Sequence, residues 1–171
     1  MGKTLARLLE ADFDVVLARK LCAPGNPEMA VGAIDETGWS MLTPSAAALG
    51  ADAAYLDAER ARQLKLLQAR RAKYAPLHTP IDPAGRVVIV VDDGVATGST
   101  MTAALRSVRR HHPSRLICAV PVASPDALPA IQALADEVVC LEAPGNFIAV
   151  SQFYSDFPQI DDEDVARLLR M

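Results

Sequence analysis

The sequence predicts an α/β domain built on a mostly parallel sheet, and three observations support this class. Short apolar runs suited to buried strands occur at 13–21, 86–91, 115–122 and 137–141. Segments with helical spacing at 99–111 and 125–135 separate the last three runs, as in consecutive strand–helix–strand units. The chain has 171 residues, of which 51% are hydrophobic, enough for one domain with a sizeable core.

The remaining segments complete this pattern. Helical spacing predicts a first helix at 3–10 and a long helix at 51–74, and Gly/Pro turn signals predict a projecting hairpin at 22–43. The last helix begins in "IDDED" and carries Arg167 and Arg170 near its end, which complements the helix dipole. Three histidines lack the spacing of metal ligands, and we expect them at the surface: His78, His111 and His112.

Composition excludes several classes of function. A formal net charge of -4 argues against sequence-independent binding of nucleic acid, which depends on clustered Lys and Arg. Cys22, Cys118 and Cys140 are odd in number and far apart, which predicts reduced thiols rather than disulfides or a zinc site. No apolar run reaches the roughly 18 residues of a membrane span. We therefore expect a cytoplasmic protein that binds small molecules.

The stretch "VVIVVDDGVATGSTM", residues 87–101, combines features of an anion site. An apolar strand leads to two aspartates, Asp92 and Asp93, and a loop rich in Gly, Thr and Ser follows before the next helix. In open α/β folds this edge of the sheet binds ligands, and the N-terminus of the helix favours a phosphate. Gly94 and Gly98 are expected to let the backbone come close to that phosphate.

The two carboxylates would repel a phosphate directly in front of them, so we expect them to lie to its side. There they can accept hydrogen bonds from vicinal hydroxyls or help to hold hydrated Mg²⁺. A sugar that carries a phosphate satisfies both halves of the motif. A structural alternative is that the acid pair only caps the following turn.

This stretch resembles the phosphoribosyl-pyrophosphate (PRPP) motif of type I phosphoribosyltransferases: an apolar strand, two acids, a short spacer and Thr-Gly-Ser-Thr. Upstream, "VVLARKL" is similar to the strand of these enzymes that ends in Arg-Lys and opens into a mobile active-site loop. The wider pattern, with "RKLCAPGNPEMAVGAIDETG" and "AVPVASPDAL", resembles a bacterial group of predicted phosphoribosyltransferases without an assigned substrate. The resemblance covers nearly the whole chain and implies a three-layer fold of the type I kind.

The resemblance also implies a reaction and a role for each matching residue. Asp92 and Asp93 would bind the ribose 2- and 3-hydroxyls and Mg²⁺, and Arg19 and Lys20 would meet the pyrophosphate. The 5-phosphate would be held by five consecutive residues: Ala96, Thr97, Gly98, Ser99 and Thr100. The implied activity is that of a Mg²⁺-dependent glycosyltransferase, which displaces pyrophosphate from ribose C1 by a ring nitrogen of a base.

The chain departs from the family pattern at two places. Members specific for 6-oxopurines usually have an aspartate where this chain has Ala96, which argues against hypoxanthine or guanine as the acceptor. Type I enzymes also place a strand and a short pyrophosphate-binding loop before the helix that starts here near Met1. We therefore expect a sheet that lacks its first strand, and a sequence that is an N-terminally shortened version of a longer chain.

The resemblance divides one domain, 1–171, into a core with two additions. Residues 22–75 would form a mobile loop and helix insertion, and 141–171 would form the C-terminal hood that selects the base. Four aromatic residues lie in this last stretch: Phe147, Phe153, Tyr154 and Phe157. Phe147 and Tyr154 are the best candidates to stack on a base, although packing of the tail onto the sheet also explains such residues. We also expect a homodimer.

Two alternatives to an enzyme remain open at this point. One is a regulator that binds PRPP without turnover, and the other is a non-catalytic remnant that has lost the first strand. A regulator that acts on nucleic acid would need a basic face, and only the Arg/Lys run at 60–73 suggests one. That run is more simply an exposed face of a helix than a nucleic-acid or pyrophosphate site.

Overall fold

The computed structural model describes residues 1–76, 79–158 and 160–169. Helices and strands follow in the order α1 Gly2–Leu8, β1 Ala18–Ala23, β2 Asn26–Asp35, β3 Ser40–Leu42, α2 Ala53–Tyr74, β4 Val87–Val91, α3 Ser99–Arg109, β5 Arg115–Val122, α4 Leu128–Gln132, β6 Glu137–Glu142 and α5 Asp162–Leu169. Short 3-10 turns occur at Ala47–Leu49 and Val150–Phe153. The predictions for His78 and Arg170 lie outside the described residues, whereas His111 and His112 are exposed as expected.

The parallel sheet predicted from the second half of the chain is confirmed. Its strand order is β4-β5-β6, and both pairs are parallel. Alternate residues of β5 point to one face, where Leu116, Cys118 and Val120 are buried. The apolar side of α3 packs on this face with α4, and Leu105 and Ile131 are fully buried there. This packing holds the N-terminus of α3 near the carboxyl end of β4, from which only residues 92–98 separate it.

The opposite face of the parallel sheet is largely open. Val87, Val139 and Leu141 point to this face and are 62%, 42% and 74% exposed. Helices α3 and α4, which make the closest contacts with the sheet in the described chain, both lie on the other face. The α/β class is therefore confirmed, but the described residues do not include the second helical layer of a three-layer fold.

The first predicted strand, 13–21, was assigned to the wrong sheet. Residues 11–17 form no strand, and β1 begins at Ala18 and pairs antiparallel with β2. Strand β3 continues this second sheet in the order β1-β2-β3. A short run of Val and Leu indicates burial but does not say which strand will be its neighbour.

The hairpin predicted at 22–43 is present, because β2 pairs antiparallel with both β1 and β3, but it does not project as a whole, since residues 31–35 are buried. Leu21, Val31 and Ile34 are at most 1% exposed and pack in a cluster with Leu56 and Leu67 of α2. The sheet formed by β1 and β2 also packs against α3. The tip at 24–27 is exposed, as are Met29, Thr37 and Leu42.

Helix α2 confirms the prediction for 51–74, and the Asp52 side chain caps it by accepting a hydrogen bond from the Tyr55 amide at 2.8 Å. In the part of the chain that the structure describes, five of the six basic residues in its Arg/Lys run have acidic partners. Arg71 forms a bidentate ion pair with Glu36, and Arg70 pairs with Asp162 of α5 at 3.0 Å. The Arg/Lys run is thus the salt-bridged face of a helix, which is the simpler of its two interpretations.

Candidate functional site

The acid pair lies at the carboxyl end of β4, on a stretch that the sheet holds at two points. The Asp92 amide donates to the carbonyl of Ala119 at 3.4 Å, and the Val95 amide donates to the carbonyl of Val122 at 3.0 Å. Asp92 is half-buried and accepts a hydrogen bond from the Asp93 amide at 3.0 Å, whereas Asp93 is exposed. The Asp93–Gly94 peptide group thus lies between two residues, Asp92 and Val95, that are hydrogen-bonded to the sheet.

The loop after the acids runs directly into α3, with Gly98 as the N-cap residue at φ +76°. This left-handed conformation favours glycine over any other residue. The Thr97 hydroxyl accepts from the Ser99 amide at 3.4 Å and lies 3.2 Å from the Ser99 hydroxyl, so it supports the first turn of the helix. Ala96, Thr97 and Thr100 are exposed.

A cavity of about 210 Å³ lies over this loop. Its lining includes Asp92 and all five residues predicted to hold the phosphate, and consists of Asp92, Gly94, Val95, Ala96, Thr97, Gly98, Ser99, Thr100, Met101 and Val150. The amides at the start of α3 and the positive end of its dipole suit a phosphate. Asp92 is half-buried and lines the same cavity, and its carboxylate can accept hydrogen bonds from hydroxyl groups.

At both glycines of the motif, neighbouring side chains leave little room for a Cβ, which the sequence did not predict. A Cβ at Gly94 would lie 2.7 Å and 2.9 Å from the two Val150 methyl groups. A Cβ at Gly98 would lie 3.3 Å from that of Ala127, so neighbouring packing and the positive φ both require glycine there. These contacts add a packing reason for each glycine, while the close approach of an anion stays a prediction, and both glycines line the cavity.

Burial raises the pKa of Asp92 to about 6, and the charge of Asp93 adds to this shift, while the Asp93 amide opposes it. Burial also raises the pKa of Asp93, against hydrogen bonds from the Gly94 and Asp93 amides. Burial, together with the charge of Asp92, raises the pKa of the Cys118 thiol to about 11. A pair of carboxylates with raised pKa values beside a cavity is typical of a binding site for cations or polar ligands.

The C-terminal segment 147–157 packs on the motif. The Tyr154 hydroxyl donates to the main-chain carbonyl of Asp93 at 2.5 Å, and Val150 touches Gly94. The Phe147 and Phe153 rings stack with centroids 5.5 Å apart. Sequence reasoning selected Phe147 and Tyr154 but missed Val150, since a single valine in an irregular segment carries no pattern.

The predicted pyrophosphate residues lie elsewhere. Arg19 and Lys20 are half-buried on β1, opposite Ile34 and Ala33 of β2. They are not among the residues that line the cavity, and neither are Asp93, Phe147 and Tyr154. The described part of the chain holds no group of three or more His, Cys, Asp or Glu side chains arranged for a metal ion, so a cation here would depend on Asp92, Asp93 and the ligand itself.

All three cysteines are free thiols, as predicted from their number and spacing. Within the described residues, no helix has both the length and the hydropathy needed to cross a membrane.

Comparison with known families shows to which family the chain belongs. The profile described as the phosphoribosyl transferase domain matches residues 1–158 of this chain. The chain belongs to this family. The match spans the acid pair, the loop, β1 and the whole C-terminal segment 147–157, so the resemblance seen in the motif extends over the fold.

Relatives of this phosphoribosyl transferase domain occur among curated and solved proteins. Two curated proteins from strains of Mycobacterium tuberculosis, both provisionally named phosphoribosyl transferase, are 39% identical over 166 residues. The match covers 96% of this chain and 38% of each relative, so the chain spans well under half of their length. The crystal structure of a protein from Thermus thermophilus is 46% identical with a TM-score of 0.84, and the match covers 98% of this chain and 80% of that one.

Proposed function

We propose that this domain catalyses the Mg²⁺-dependent transfer of a phosphoribosyl group from PRPP to a nitrogenous base. The observation that carries the proposal is an acid pair, with Asp92 half-buried at a loop–helix cavity and Asp93 exposed next to it, in a chain of the phosphoribosyl transferase family. A helix N-terminus favours a negatively charged group, whereas carboxylates favour hydrogen-bond donors or cations. A sugar phosphate offers its phosphate to the first and its hydroxyls to the second.

The cavity is small for a complete nucleotide. At about 210 Å³ it lies below the range of roughly 300–1,000 Å³ that is usual for drug-sized ligands. It suits the phosphate end of a ribose, held by the α3 amides and the Ser99 and Thr100 hydroxyls, with the sugar hydroxyls turned toward Asp92 and Asp93. Ribose 5-phosphate is therefore the natural first probe.

The reaction needs no side-chain nucleophile. The bond between ribose C1 and the pyrophosphate oxygen breaks with its electron pair on the leaving group, and a base nitrogen supplies the pair for the new C1–N bond. Positive charge develops on the sugar ring between these events. Asp92 and Asp93 would hold the hydroxyls and stabilise that charge, so catalysis rests on positioning and electrostatics.

The acid pair also fits Mg²⁺, which prefers carboxylates together with water and phosphate oxygens. Bound there through water, the ion would supply positive charge that makes pyrophosphate a better leaving group. Protonation weakens such binding, since Asp92 has a pKa raised to about 6. We therefore expect Mg²⁺ and PRPP to bind better above pH 6 than below it.

For the acceptor we propose a base other than a 6-oxopurine. Ala96 is exposed at the cavity and offers no group that could exchange a proton with a purine ring nitrogen. Phe147 and Tyr154 remain the candidates for stacking on the base. A panel of bases with PRPP and Mg²⁺, followed by release of pyrophosphate, tests both parts of this proposal.

We further propose that the complete site includes one more strand beside β4. A groove of about 660 Å³ separates β4 from residues 11–16, and it is apolar along Val88 and Val90. In the described chain β4 has a strand partner on its β5 side alone. A strand here would place its end near Asp92, and a loop after it could reach the pyrophosphate together with Arg19 and Lys20.

The alternative of a regulator without turnover has less support. The basic residues of α2 that would give it a nucleic-acid face are engaged by acids, as in the pairs Arg60–Asp57 and Arg62–Glu59.

A cytoplasmic location fits the three free thiols, since reduced cysteines are typical of that compartment. The homodimer remains a prediction.

Titration calorimetry with ribose 5-phosphate tests the proposal. The double variant Asp92→Asn/Asp93→Asn should weaken binding more than tenfold, because each lost charged acceptor costs about 1.5–3 kcal/mol. The control Asp57→Asn/Glu137→Gln changes the charge equally at exposed ion pairs and should leave the affinity unchanged. Equal affinities in the parent and in the first variant would refute the assignment of the acid pair.

A further inference from the structure

The stretch between Asp92 and Val95 is anchored to the sheet only at its ends. Asp92 and Val95 donate main-chain hydrogen bonds to Ala119 and Val122 of β5. The peptide group that joins Asp93 to Gly94 lies between these anchors. Its carbonyl belongs to Asp93 and accepts from Tyr154. Because the Asp93 Cβ is attached to the Cα at one end of this peptide group, the orientation of the peptide group affects the position of the Asp93 carboxylate.

Two contacts from the C-terminal segment 147–157 act on this peptide. The Tyr154 hydroxyl donates to the Asp93 carbonyl at 2.5 Å. The Val150 methyl groups occupy the space next to the Gly94 Cα, at 2.7 Å and 2.9 Å from where a Cβ would stand. The hydrogen bond from Tyr154 fixes the direction of the Asp93 carbonyl. The methyl groups of Val150 limit the movement of the backbone at Gly94, the other residue of the same peptide group.

The segment that makes these contacts is braced internally. The Gln152 side-chain oxygen accepts from the amides of Ile148 and Ala149 at 2.9 Å and 3.1 Å, and its nitrogen donates to the Asn146 carbonyl at 3.3 Å. The Tyr154 ring packs against Phe157 with centroids 5.1 Å apart. These internal contacts make the segment rigid. A rigid segment can hold the neighbouring Asp93–Gly94 peptide group in place, because the segment does not move with that peptide group.

From these contacts we propose that Tyr154, assisted by Val150, is a positioning residue that sets the Asp93–Gly94 peptide and so the geometry of the acid pair. The inference rests on the proposed function, in which Asp93 binds the ribose hydroxyls. It gives the C-terminal segment a role in the ribose site that does not depend on contact with a base.

The test compares two tyrosines that each donate to a main-chain carbonyl. Tyr154→Phe removes the hydroxyl but keeps the ring against Phe157. Tyr55→Phe is the matched control, because the Tyr55 hydroxyl donates to the Cys22 carbonyl at 2.8 Å, far along the chain from the motif. Amide exchange of Gly94 is measured by NMR without ligand, and the Val95 amide serves as an internal reference.

We expect Gly94 to exchange about tenfold faster in Tyr154→Phe and to be unchanged in Tyr55→Phe, with Val95 unchanged in both. Ribose 5-phosphate should bind about threefold to tenfold more weakly to Tyr154→Phe alone, as expected for one neutral hydrogen bond. Val150→Ala should give a smaller change of the same sign in both measurements.

Unchanged exchange of Gly94 in Tyr154→Phe would overturn the proposal, and so would equal losses in the two tyrosine variants. The exchange measurement requires no ligand, so it separates this proposal from the proposed function. If the parent does not bind ribose 5-phosphate but Gly94 responds as expected, the function is wrong and the positioning contact stands.

Discussion

At the scale of single residues, Asp92 faces opposite demands from folding and from binding. Its burial beside Asp93 raises its pKa from 3.8 to about 6, so the ionised form that ligands need is the form that the unliganded fold disfavours. A raised pKa means that the folded chain binds the proton more tightly than the unfolded chain. The stability contributed by this proton is complete below about pH 3.8 and is lost as pH rises through 6.

We therefore predict that Asp92→Asn stabilises the unliganded protein at pH 8, by about 1–2 kcal/mol, while it weakens ligand binding. The gain should shrink toward zero at pH 4, where Asp92 is protonated in the parent. Denaturant unfolding at the two pH values measures both quantities. A variant that is less stable than the parent at pH 8 would contradict the raised pKa.

Gly94 is the second residue with a testable role. Gly94→Ala places a methyl group 2.7 Å from Val150 and 3.0 Å from Val122, and such overpacking costs about 1–3 kcal/mol. Val150→Ala in the same chain should recover part of the loss, because it removes the methyl groups that collide. Thermal unfolding of the single and double variants measures this coupling.

Gly145→Ala is the matched control, since a Cβ at Gly145 would meet no atom within 4 Å and its φ is not positive. We expect its stability to equal that of the parent or to exceed it slightly. Strictly additive effects of Gly94→Ala and Val150→Ala would mean that the two residues are not in contact.

At the scale of elements, the antiparallel sheet limits how much of 22–43 can move. Val31 and Ile34 on β2 are 0% and 1% exposed, so this strand is part of the core, and the exposed tip at 24–27 is the part free to change. Local opening follows such differences in burial.

We predict fast hydrogen exchange without ligand at the tip, and protection of the order of global unfolding at Val31 to Ile34. PRPP with Mg²⁺ should slow exchange at the tip, because closure over the reacting sugar would exclude water. Fast exchange throughout β2 in the absence of ligand would show that the second core is not stably formed.

At the scale of the whole molecule, the open face of the parallel sheet is the unusual feature. Parallel sheets are ordinarily covered on both faces, yet Val87, Val139 and Leu141 are exposed here. Exposed apolar side chains on one face of a sheet can bind apolar dyes and other hydrophobic surfaces.

We predict that the folded protein binds an apolar fluorescent dye and that Leu141→Lys lowers the signal at least twofold. Leu141 is 74% exposed, so the free energy of unfolding should change by less than about 0.5 kcal/mol. Ile148→Lys is the control, since Ile148 is 87% exposed but lies outside the sheet. An equal loss of signal in both variants would show that the dye does not report on this face.

Much of the second half of the chain could be predicted because its signals are local. The apolar run of β4 and the spacing of α3 each identify their element without reference to distant residues. The first half was harder. Of the buried strand predicted at 13–21, Leu17 and Leu21 are buried, but the same apolar run fits a parallel or an antiparallel neighbour, and the partner proved to be β2.

The sequence by itself determined the acid pair, the loop and the family, because strand, acids and helix start are contiguous in 87–101 and their geometry follows from short-range rules. The tertiary structure alone decided what surrounds them. Tyr154 bonds to Asp93 across 61 residues, and Val150 determines why Gly94 is glycine. Such contacts depend on how an irregular segment packs after the sheet has formed, and no periodicity in the sequence records that packing.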